Sequence, residues 1–587
     1  MNLNMYFKPA VLILLIFCLK ISSYGQHFTM QQIESYWQAG KTLPVEVALD
    51  YPLPEQPVQN DNGLNVLIDI AHQCSFEMMW RTQSALLRQG FRVASSQATI
   101  NTVLDPDGLS RVRIHTNPDE RIYPFAWHPN FDFNVIITSQ TNMEAQKYLP
   151  EEIDAIRDFV RDGGGLVILA SPQQNLEGVP DWSLNTLCRA FGVSMLNRTD
   201  VSHGIRHLAL EAGDNFEVIE KGDEGLPVKV RGRYGNGYVV VSGSLDLSGD
   251  ARLREVTDEM IRNRSYETLG EFVQWASSGK KPVGGEPRLP QPHSGGGGIY
   301  PELEQQMDDI VLYYAHNQIP ELIRTVEVDV PKAKDLVEQW LPSKPTMEPM
   351  YLILSAGSGG GWAVNAYRPK ENGIISLDPF GILSIFAHEL AHTMAGPVNA
   401  YGNVAGITPD PFQNRGESHA GWFQGKVDAV FDNERLNRAN RNCNSFFERD
   451  TTGNLLDMAG NYREWSGYTR GLEWTKSWYV WQKLDDRYGP TWYPRWRWVQ
   501  HTRWNDEPDR RLTWEEMVED MSIAVGEDLF PFFGKLGTTL SIKRLEQIEF
   551  QGEILELDVA PIEITPAGNV NLDEIGDYTK PINIRKP

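Results

Sequence analysis

A segment rich in glycine, proline and serine divides this chain and constrains its fold more than any other feature. Residues Ser277 to Gly298 read SSGKKPVGGEPRLPQPHSGGGG and show no apolar periodicity. Such a segment buries almost nothing and behaves as a linker. The blocks on either side must therefore build separate cores, and 587 residues leave room for two to four domains.

The first block, residues 63–276, alternates between strand and helix signals. Short apolar runs at Leu64–Ile70, Asn134–Thr138 and Leu166–Ala170 are typical of buried parallel strands. A helix is predicted to begin at Pro150, and Asn236-Gly237 predicts a hairpin turn. The alternation predicts an α/β domain with an open parallel sheet.

The second block, residues 299–540, begins with PELEQQMDDIVLYYAHN, which predicts a helix, and turns strand-like at Met350–Ser355. Eight of the seventeen tryptophans lie between Trp465 and Trp504, where core packing of helices is favoured over stacking on sugar rings. After Ser541 an alternating pattern predicts a short β-rich segment that ends the chain at residue 587.

The first 25 residues predict a cleaved signal peptide, followed by an N-terminal extension over residues 26–62. Lys8 precedes an apolar run from Ala10 to Leu19, and Ser23-Tyr24-Gly25 has small residues at its first and third positions. The run is too short to span a bilayer, which needs about 20 apolar residues. We therefore expect a secreted or periplasmic protein without a membrane span.

The net charge bears on which partners the protein can bind, and the cysteine content bears on disulfide bonding. Acidic residues outnumber basic ones by 78 to 54, a formal charge of −24, which opposes binding to nucleic acid by general electrostatics. Three cysteines remain after the predicted cleavage, Cys74, Cys188 and Cys443, an odd number without a CxxC pair. This excludes a disulfide framework. The oligomeric state stays open.

The pattern that carries chemistry is His388-Glu389-Leu390-Ala391-His392, an HExxH motif. Residues four apart on a helix project from one face, so both histidines can ligate a single Zn²⁺. Glu389 can reach a zinc-bound water and act as its general base. The alternative is a surface helix that carries two unrelated histidines.

Catalytic zinc needs a third protein ligand. The metzincin extension would require Gly at 395 and His at 398, where this chain has Ala395 and Val398. Glu417 lies in the first turn of a predicted helix, twenty-four residues beyond His392, and is the favoured ligand. The alternatives are His419, Asp410, Asp428 and Glu434.

These residues resemble the zinc site of the enhancin-like metallopeptidases, which include mucin-degrading bacterial members. Ser358-Gly359-Gly360-Gly361-Trp362-Ala363 is similar to the Gly-rich segment that precedes the zinc helix in that family, and AVGEDLFPFFGKLGTTLS resembles the end of its helical subdomain. The resemblance covers about Ile299 to Leu540. It implies an α+β gluzincin-type metallopeptidase domain with a helical subdomain and one zinc ion per chain.

The first block resembles the class I glutamine amidotransferase-like, flavodoxin-like domains in EEIDAIRDFVRDGGGLVILASP and RYGNGYVVVSGSLDL. Those enzymes carry a nucleophilic cysteine on a tight elbow flanked by small residues. Neither Cys74 nor Cys188 has a Gly-x-Cys-x-Gly setting. We therefore expect this domain to be non-catalytic.

The substrate is expected to lie beside the strand that precedes the zinc helix, bound through main-chain hydrogen bonds. The candidate substrate-binding residues are Gly359, Gly360, Gly361 and Trp362. A second donor to the oxyanion, in addition to zinc, is expected from one of four side chains that the sequence does not rank: Tyr367, His419, Tyr462 and Tyr468.

The resulting hypothesis is a secreted zinc endopeptidase that cleaves O-glycosylated, mucin-type proteins. One alternative is a catalytically silent adhesin that binds glycan or protein and keeps a vestigial metal site. The intact Glu389 argues against it, because binding alone does not need that carboxylate. Another alternative is a zinc hydrolase of a non-peptide amide or ester.

Overall fold

The structure is a computed structural model that divides the chain into two compact units, residues 52–396 and residues 397–587 together with 1–51. It describes residues 58–72, 76–105, 113–115, 132–172, 175–245, 259–280, 301–340, 349–354, 362–363, 374–377, 382–393, 424–427, 430–431, 481–489, 491–504, 512–535 and 540–560. The predicted signal peptide lies outside them. In these ranges, no helix is both long and apolar enough to cross a membrane.

The first unit begins with an eight-stranded sheet in the order β3-β2-β1-β4-β5-β10-β9-β8. Five adjacent strands, β2, β1, β4, β5 and β10, run parallel, and the three outer strands are antiparallel to their neighbours. The strands are β1 Asn65–Asp69, β2 Arg92–Ser96, β3 Arg113–His115, β4 Val135–Gln140, β5 Gly165–Ala170, β8 Phe216–Lys221, β9 Pro227–Tyr234 and β10 Gly237–Ser242. Between β5 and β8, strands β6 Val193–Ser202 and β7 Ile205–Ala212 form a separate antiparallel pair.

Helices cover both faces of this sheet because its central strands are apolar on both sides. On one face, Ile156 and Val160 pack with Leu67 and Ile168; on the other, Val66 packs in a second core. The helices are α1 Phe76–Arg88, α2 Ile100–Leu104, α3 Pro150–Arg161, α4 Ser183–Ala190 and α5 Glu259–Ala276. The predicted strands, the helix that begins at Pro150 and the hairpin before Gly237 are confirmed.

The multidomain α/β architecture is confirmed, but the sheet is mixed, which corrects the expectation of an open parallel sheet. Two of the three antiparallel strands arise from hairpins, since β8, β9 and β10 follow one another through short turns. Ser277–Gly279 forms a 3₁₀ turn, and the Lys280 ammonium lies 2.7 Å from the Asp132 carboxylate. The predicted linker therefore begins no earlier than residue 281.

The prediction of a helix over residues 301–317 is wrong. These residues form a hairpin of β11 Leu303–Met307 and β12 Ile310–Tyr314. Burial alternates along β11, and β-branched and aromatic residues dominate β12, both of which favour strands. Asp308 takes the left-handed conformation at the two-residue turn, with φ 46°, which a continuous helix could not contain.

A five-stranded sheet in the order β11-β12-β13-β15-β14 completes the described part of the first unit. Strands β12, β13 and β15 run parallel, and β11 and β14 are antiparallel at the two edges. The remaining elements are α6 Pro320–Trp340, β13 Met350–Leu354, β14 Trp362–Ala363, β15 Ile374–Leu377 and α7 Ile382–Thr393. Helix α6 buries the stripe Val326, Val330, Ala333 and Val337, whose spacing follows one helix face.

The described part of the second unit is mainly helical. It contains helical residues 424–427 and 481–488, α8 Trp492–Trp504, α9 Trp514–Val525 and α10 Phe530–Lys535. Thr513 caps α9 through a reciprocal pair of bonds with Glu516, and Gly526 ends the helix in the left-handed conformation. The predicted C-terminal strands are confirmed as the hairpin β17 Gln547–Phe550 and β18 Glu553–Glu556, while β16 Glu527–Asp528 pairs with β19 Asp558–Val559.

Candidate functional site

Helix α7 contains the whole HELAH motif. The predicted helical setting of His388, Glu389 and His392 is therefore observed. The helix packs against α6 and against strands β14 and β15. Phe386, Ala387, Leu390 and Ala391 are fully buried along it. Apolar burial therefore fixes how far α7 is rotated about its own axis, and with it the direction of the motif.

His388 and Glu389 are buried as well, being only 8% and 6% exposed as whole residues. Burying an ionisable group is costly unless it is paired, and both residues do have interaction partners. His388 and Glu389 therefore do not lie on an exposed face of the helix. Low exposure also strengthens any electrostatic interaction that the two side chains make.

The helical spacing places His388 and His392 one turn apart on the same face of α7. Two imidazoles in this arrangement suit zinc, which accepts nitrogen ligands in tetrahedral sites. Glu389 is adjacent in sequence and offers an oxygen that can accept a proton. The residue types and their spacing on one helix therefore fit the pattern of a zinc site.

The strand predicted to bind substrate lies at the edge of the five-stranded sheet, beside α7. Trp362 pairs with Ser376, and Ala363 pairs with Ile375, both antiparallel. In the part of the sheet that the structure describes, no strand pairs with the other side of β14. Backbone groups on that side can add an extended peptide strand.

The other predicted site residues lie outside the described residues. They are the third ligand candidate Glu417, its alternatives His419, Asp410, Asp428 and Glu434, the substrate residues Gly359, Gly360 and Gly361, and the oxyanion donors Tyr367, Tyr462 and Tyr468. Over the ranges that are described, no three His, Cys, Asp or Glu residues gather into a metal-binding group. The structure thus places His388, Glu389 and His392 on one helix, with Trp362 on a strand against which that helix packs.

Three tryptophans in the described part of the second unit are core residues. Trp481, Trp492 and Trp496 are all buried, and their rings stack in pairs 5.6 to 6.1 Å apart. A sugar could not reach them without unfolding the helices. The prediction of core packing is confirmed for these three side chains.

Sequence reasoning missed a polar cluster in the eight-stranded sheet, centred on His72. Nδ1 of His72 lies 2.8 Å from Oδ2 of Asp69, and Nε2 lies 3.2 Å from Oε2 of Glu152. The Tyr148 ring stacks on the imidazole with centroids 3.8 Å apart, and Thr138 donates to Asp69. The only local signal is the three-residue spacing of Asp69 and His72, because the other partners lie far along the chain.

The charge state of His72 follows from these contacts. Burial by itself would lower its pKa, but the Coulombic attraction of Asp69 and Glu152 and the hydrogen bonds to both raise it to about 10. An imidazole donates from both nitrogens only when it is protonated. The cluster therefore contains a buried imidazolium between two carboxylates at neutral pH.

Cys188, one candidate for a nucleophile in the first block, is unsuited to that role. It is buried within α4, and burial raises the pKa of its thiol well above the usual range. A thiol held in this way supplies almost no thiolate. The expectation that Cys188 is not a nucleophile is consistent with this geometry, and Cys74 lies outside the described residues.

No protein-family model matches the chain, and no curated protein matches it. Among solved structures, the cytoplasmic protein STM1381 from Salmonella typhimurium LT2 is 17% identical, over 36% of this chain and 99% of that one, with a TM-score of 0.24. The cytoplasmic protein STM3548 from Salmonella typhimurium is 17% identical, over 36% and 98%, with a TM-score of 0.23. The mmIFT52 N-terminal domain is 11% identical, over 37% and 100%, with a TM-score of 0.24. TM-scores below 0.5 carry no inference about function.

The His72 cluster predicts a pH dependence of stability. Because the folded-state pKa is raised from 6.5 to about 10, the stabilisation by His72 is complete below about pH 6.5 and is lost as the pH rises through about 10. Nitrogen NMR of histidine-labelled protein should show one imidazolium that does not titrate between pH 6.5 and 9 and that disappears in His72→Gln. A resonance assigned to His72 that titrates near pH 6.5 would contradict the buried ion cluster.

Proposed function

We propose that this chain is a secreted zinc metallopeptidase of the enhancin type. The observation that supports it most is that the whole HELAH motif lies on one helix. His388 and His392 are one turn apart on it, and Glu389, which follows His388 in the sequence, is buried. A motif with this spacing on an exposed or irregular segment would carry no such implication. The helical context of the motif therefore supports the proposal of metal-assisted hydrolysis.

His388 and His392 are the residues proposed to hold zinc, together with Glu417. A bound zinc ion supplies Lewis acidity, which polarises a substrate carbonyl and lowers the pKa of water. Glu417 would add a negative charge to two neutral imidazoles, leaving one coordination position for the reaction. Glu417 is proposed as the third ligand because of its spacing from His392 and because of the resemblance to the enhancin-like family.

Glu389 is proposed as the general base. Its carboxylate accepts a proton from the attacking water while the water oxygen forms a bond to the carbonyl carbon. The same proton then passes to the leaving nitrogen as the carbon–nitrogen bond breaks, so that Glu389 ends the cycle unprotonated. One of the side chains of Tyr367, His419, Tyr462 and Tyr468 is proposed to donate to the developing oxyanion.

Strand β14 is proposed to bind the substrate backbone. It is antiparallel to β15, lies at the sheet edge and packs beside α7, so a peptide added to it would pass the motif. The glycines at 359–361 lack side chains and would admit a sugar-bearing residue close to the strand. We propose O-glycosylated, mucin-type proteins as the substrate class on this basis and on the family resemblance.

Secretion is proposed from the N-terminal pattern of Lys8, the apolar run and the small residues before Gln26. Extracellular glycoproteins would then be accessible to the enzyme. Binding to nucleic acid is not part of the proposal, because the chain carries a large negative charge.

Metal content tests the ligand set. Purified protein reconstituted with zinc should hold one zinc ion per chain by elemental analysis. His392→Ala and Glu417→Ala should each weaken zinc binding by more than about 100-fold, because a coordinating bond is lost. His419→Ala should retain zinc, and so should the control His316→Ala, which changes an exposed histidine of the first unit. Zinc loss in His419→Ala but not in Glu417→Ala would show that His419, and not Glu417, is the third ligand.

Replacement of Glu389 tests the proposed base. Glu389→Gln should keep its zinc and lower kcat by about 100-fold or more, because the amide cannot accept the proton. Glu321→Gln, which alters an exposed acid on α6, is the matched control and should keep full activity. A Glu389→Gln enzyme that holds zinc and turns over at the wild-type rate would exclude the proposed role.

Digestion of a mucin-type glycoprotein tests the substrate class. We expect cleavage next to a glycosylated Ser or Thr, located by mass spectrometry, and a loss of cleavage after enzymatic removal of the O-glycans. Addition of a chelator should abolish the reaction, and zinc should restore it. Equal or faster cleavage of the bare polypeptide would show a general endopeptidase instead.

A further inference from the structure

The eight-stranded sheet has a topological switch point between β1 and β4. From β1 the chain proceeds to β2 on one side, and it later returns to β4 on the other side. In open α/β sheets, ligands bind in the crevice outside the carboxyl ends of the strands at such a point. Asp69 is the last residue of β1, and Thr138 lies in the carboxyl-terminal half of β4. These two residues therefore mark where a ligand of this domain would be expected.

In this chain the crevice is filled from within by the His72 cluster. Oδ1 of Asp69 accepts the Ala71 amide at 2.9 Å, and Oδ2 accepts from His72 at 2.8 Å and from Thr138. The Tyr148 ring covers the imidazole. The carboxylate that a ligand would meet is thus already engaged by three donors of the chain itself.

Glu152 closes the other side of the same crevice. Its Oε1 accepts the Ile100 amide at 3.0 Å, and its Oε2 accepts the Leu149 amide at 2.9 Å in addition to contacting His72. One carboxylate therefore accepts hydrogen bonds from backbone amides at the start of α2 and at the start of α3. All these groups are buried, so the cluster is a fixed core rather than an open site.

Residues 301–318 contact three of the loops that leave this edge, those after β1, β2 and β4. Glu302 accepts from the amide of Thr99, at 3.0 Å, after β2. Asn317 donates to the Ala71 carbonyl, at 3.0 Å, after β1. Gln146, after β4, donates to Oε1 of Gln318 at 2.8 Å. Three independent hydrogen bonds therefore join this segment to the carboxyl ends of β1, β2 and β4.

The contact continues into the five-stranded sheet. Nε2 of Gln318 donates to the carbonyl of Leu354 at 3.2 Å. Leu354 is the last residue of β13 and directly precedes residues 355–361, the glycine-rich segment. Strand β13 pairs with β15, against which α7 packs. A buried amide thus links the α/β sheet to the strand that leads into the candidate substrate segment.

We propose that the carboxyl edge of the eight-stranded sheet is an intramolecular docking surface whose occupant is the chain's own segment Pro301–Gln318. The described part of the α/β domain then acts as a rigid support that positions β13. The interface uses neutral amides and one carboxylate on backbone and hydroxyl donors, so salt should weaken it little. The docking itself is independent of zinc, whereas its effect on peptidase activity rests on the proposed function.

Hydrogen–deuterium exchange of the full chain, read by mass spectrometry, tests the docking. In the wild-type protein, peptides that cover residues 66–72, 96–104 and 142–149 should exchange slowly. In the double variant Asn317→Ala/Gln318→Ala, the peptides 66–72 and 142–149 should exchange about tenfold faster or more, because the partners of Ala71 and Gln146 are lost. Glu302→Ala should do the same for the peptide 96–104, because Glu302 is the partner of Thr99. Gln306→Ala, which removes an exposed glutamine of β11, is the matched control and should leave them unchanged.

Two results would overturn the proposal. One is fast exchange of these peptides in the wild-type protein, a result that does not depend on whether any variant folds. The other is unchanged exchange in the double variant. Gln146→Ala approaches the interface from the opposite side and should likewise speed exchange of peptides that cover residues 302–318.

Activity separates this proposal from the proposed function. If the chain is a peptidase, the double variant should raise KM for a polypeptide substrate while it keeps one zinc per chain. Faster exchange in a chain that never shows peptidase activity would retain the docking surface and refute only the proposed function. Unchanged exchange in a chain that does show peptidase activity would refute the docking surface and retain the proposed function.

Discussion

The burial of helix α7 is the constraint on which the candidate site depends. Phe386 and Leu390 are fully buried between the sheet edge and α6, and replacing such a phenylalanine by alanine costs about 3–5 kcal/mol. A helix held this firmly cannot rotate by the 100° or so that one residue step represents. The backbone positions of His388 and His392 relative to strand β14 are therefore fixed by packing, which is the preorganisation that the proposed zinc site would need.

The support for that helix extends into the α/β sheet. At the switch point, the polar groups of the His72 cluster are hydrogen-bonded to one another. Residues 301–318 contact the loop that follows β1 at the same edge. Gln318 then carries the contact to β13. We propose that the α/β domain supports its neighbour in this way. Cys188 is buried in α4, and burial raises the pKa of its thiol.

Local patterns in the sequence are sufficient for much of this structure. Continuous apolar runs predict the central strands, and Pro150 followed by two glutamates predicts the start of α3, because each signal acts within a few residues. The HELAH helix is predictable for the same reason. The hairpin at 303–314 is not, since its acidic and glutamine-rich first half resembles a helix and only the turn at Asp308 decides between the two.

Features that depend on distant partners could not be predicted. Asp69 and His72 meet Thr138, Tyr148 and Glu152 only after the sheet has assembled, and no local periodicity encodes that encounter. The contact of Gln146 with Gln318 joins residues 172 positions apart. For the same reason the third zinc ligand, which lies far along the chain from α7, is proposed on spacing and resemblance alone. The two histidines follow from the geometry of one helix.

X-ray absorption at the zinc edge of the reconstituted full chain tests the central claim most directly. The account predicts a four-coordinate zinc with nitrogen and oxygen ligands at about 2.0–2.2 Å, two of them imidazoles, and no sulfur. The outer-shell scattering of the imidazole rings should fall by half in His392→Ala. A chain that binds no zinc, or a spectrum with sulfur at about 2.3 Å, would contradict a centre built on His388 and His392.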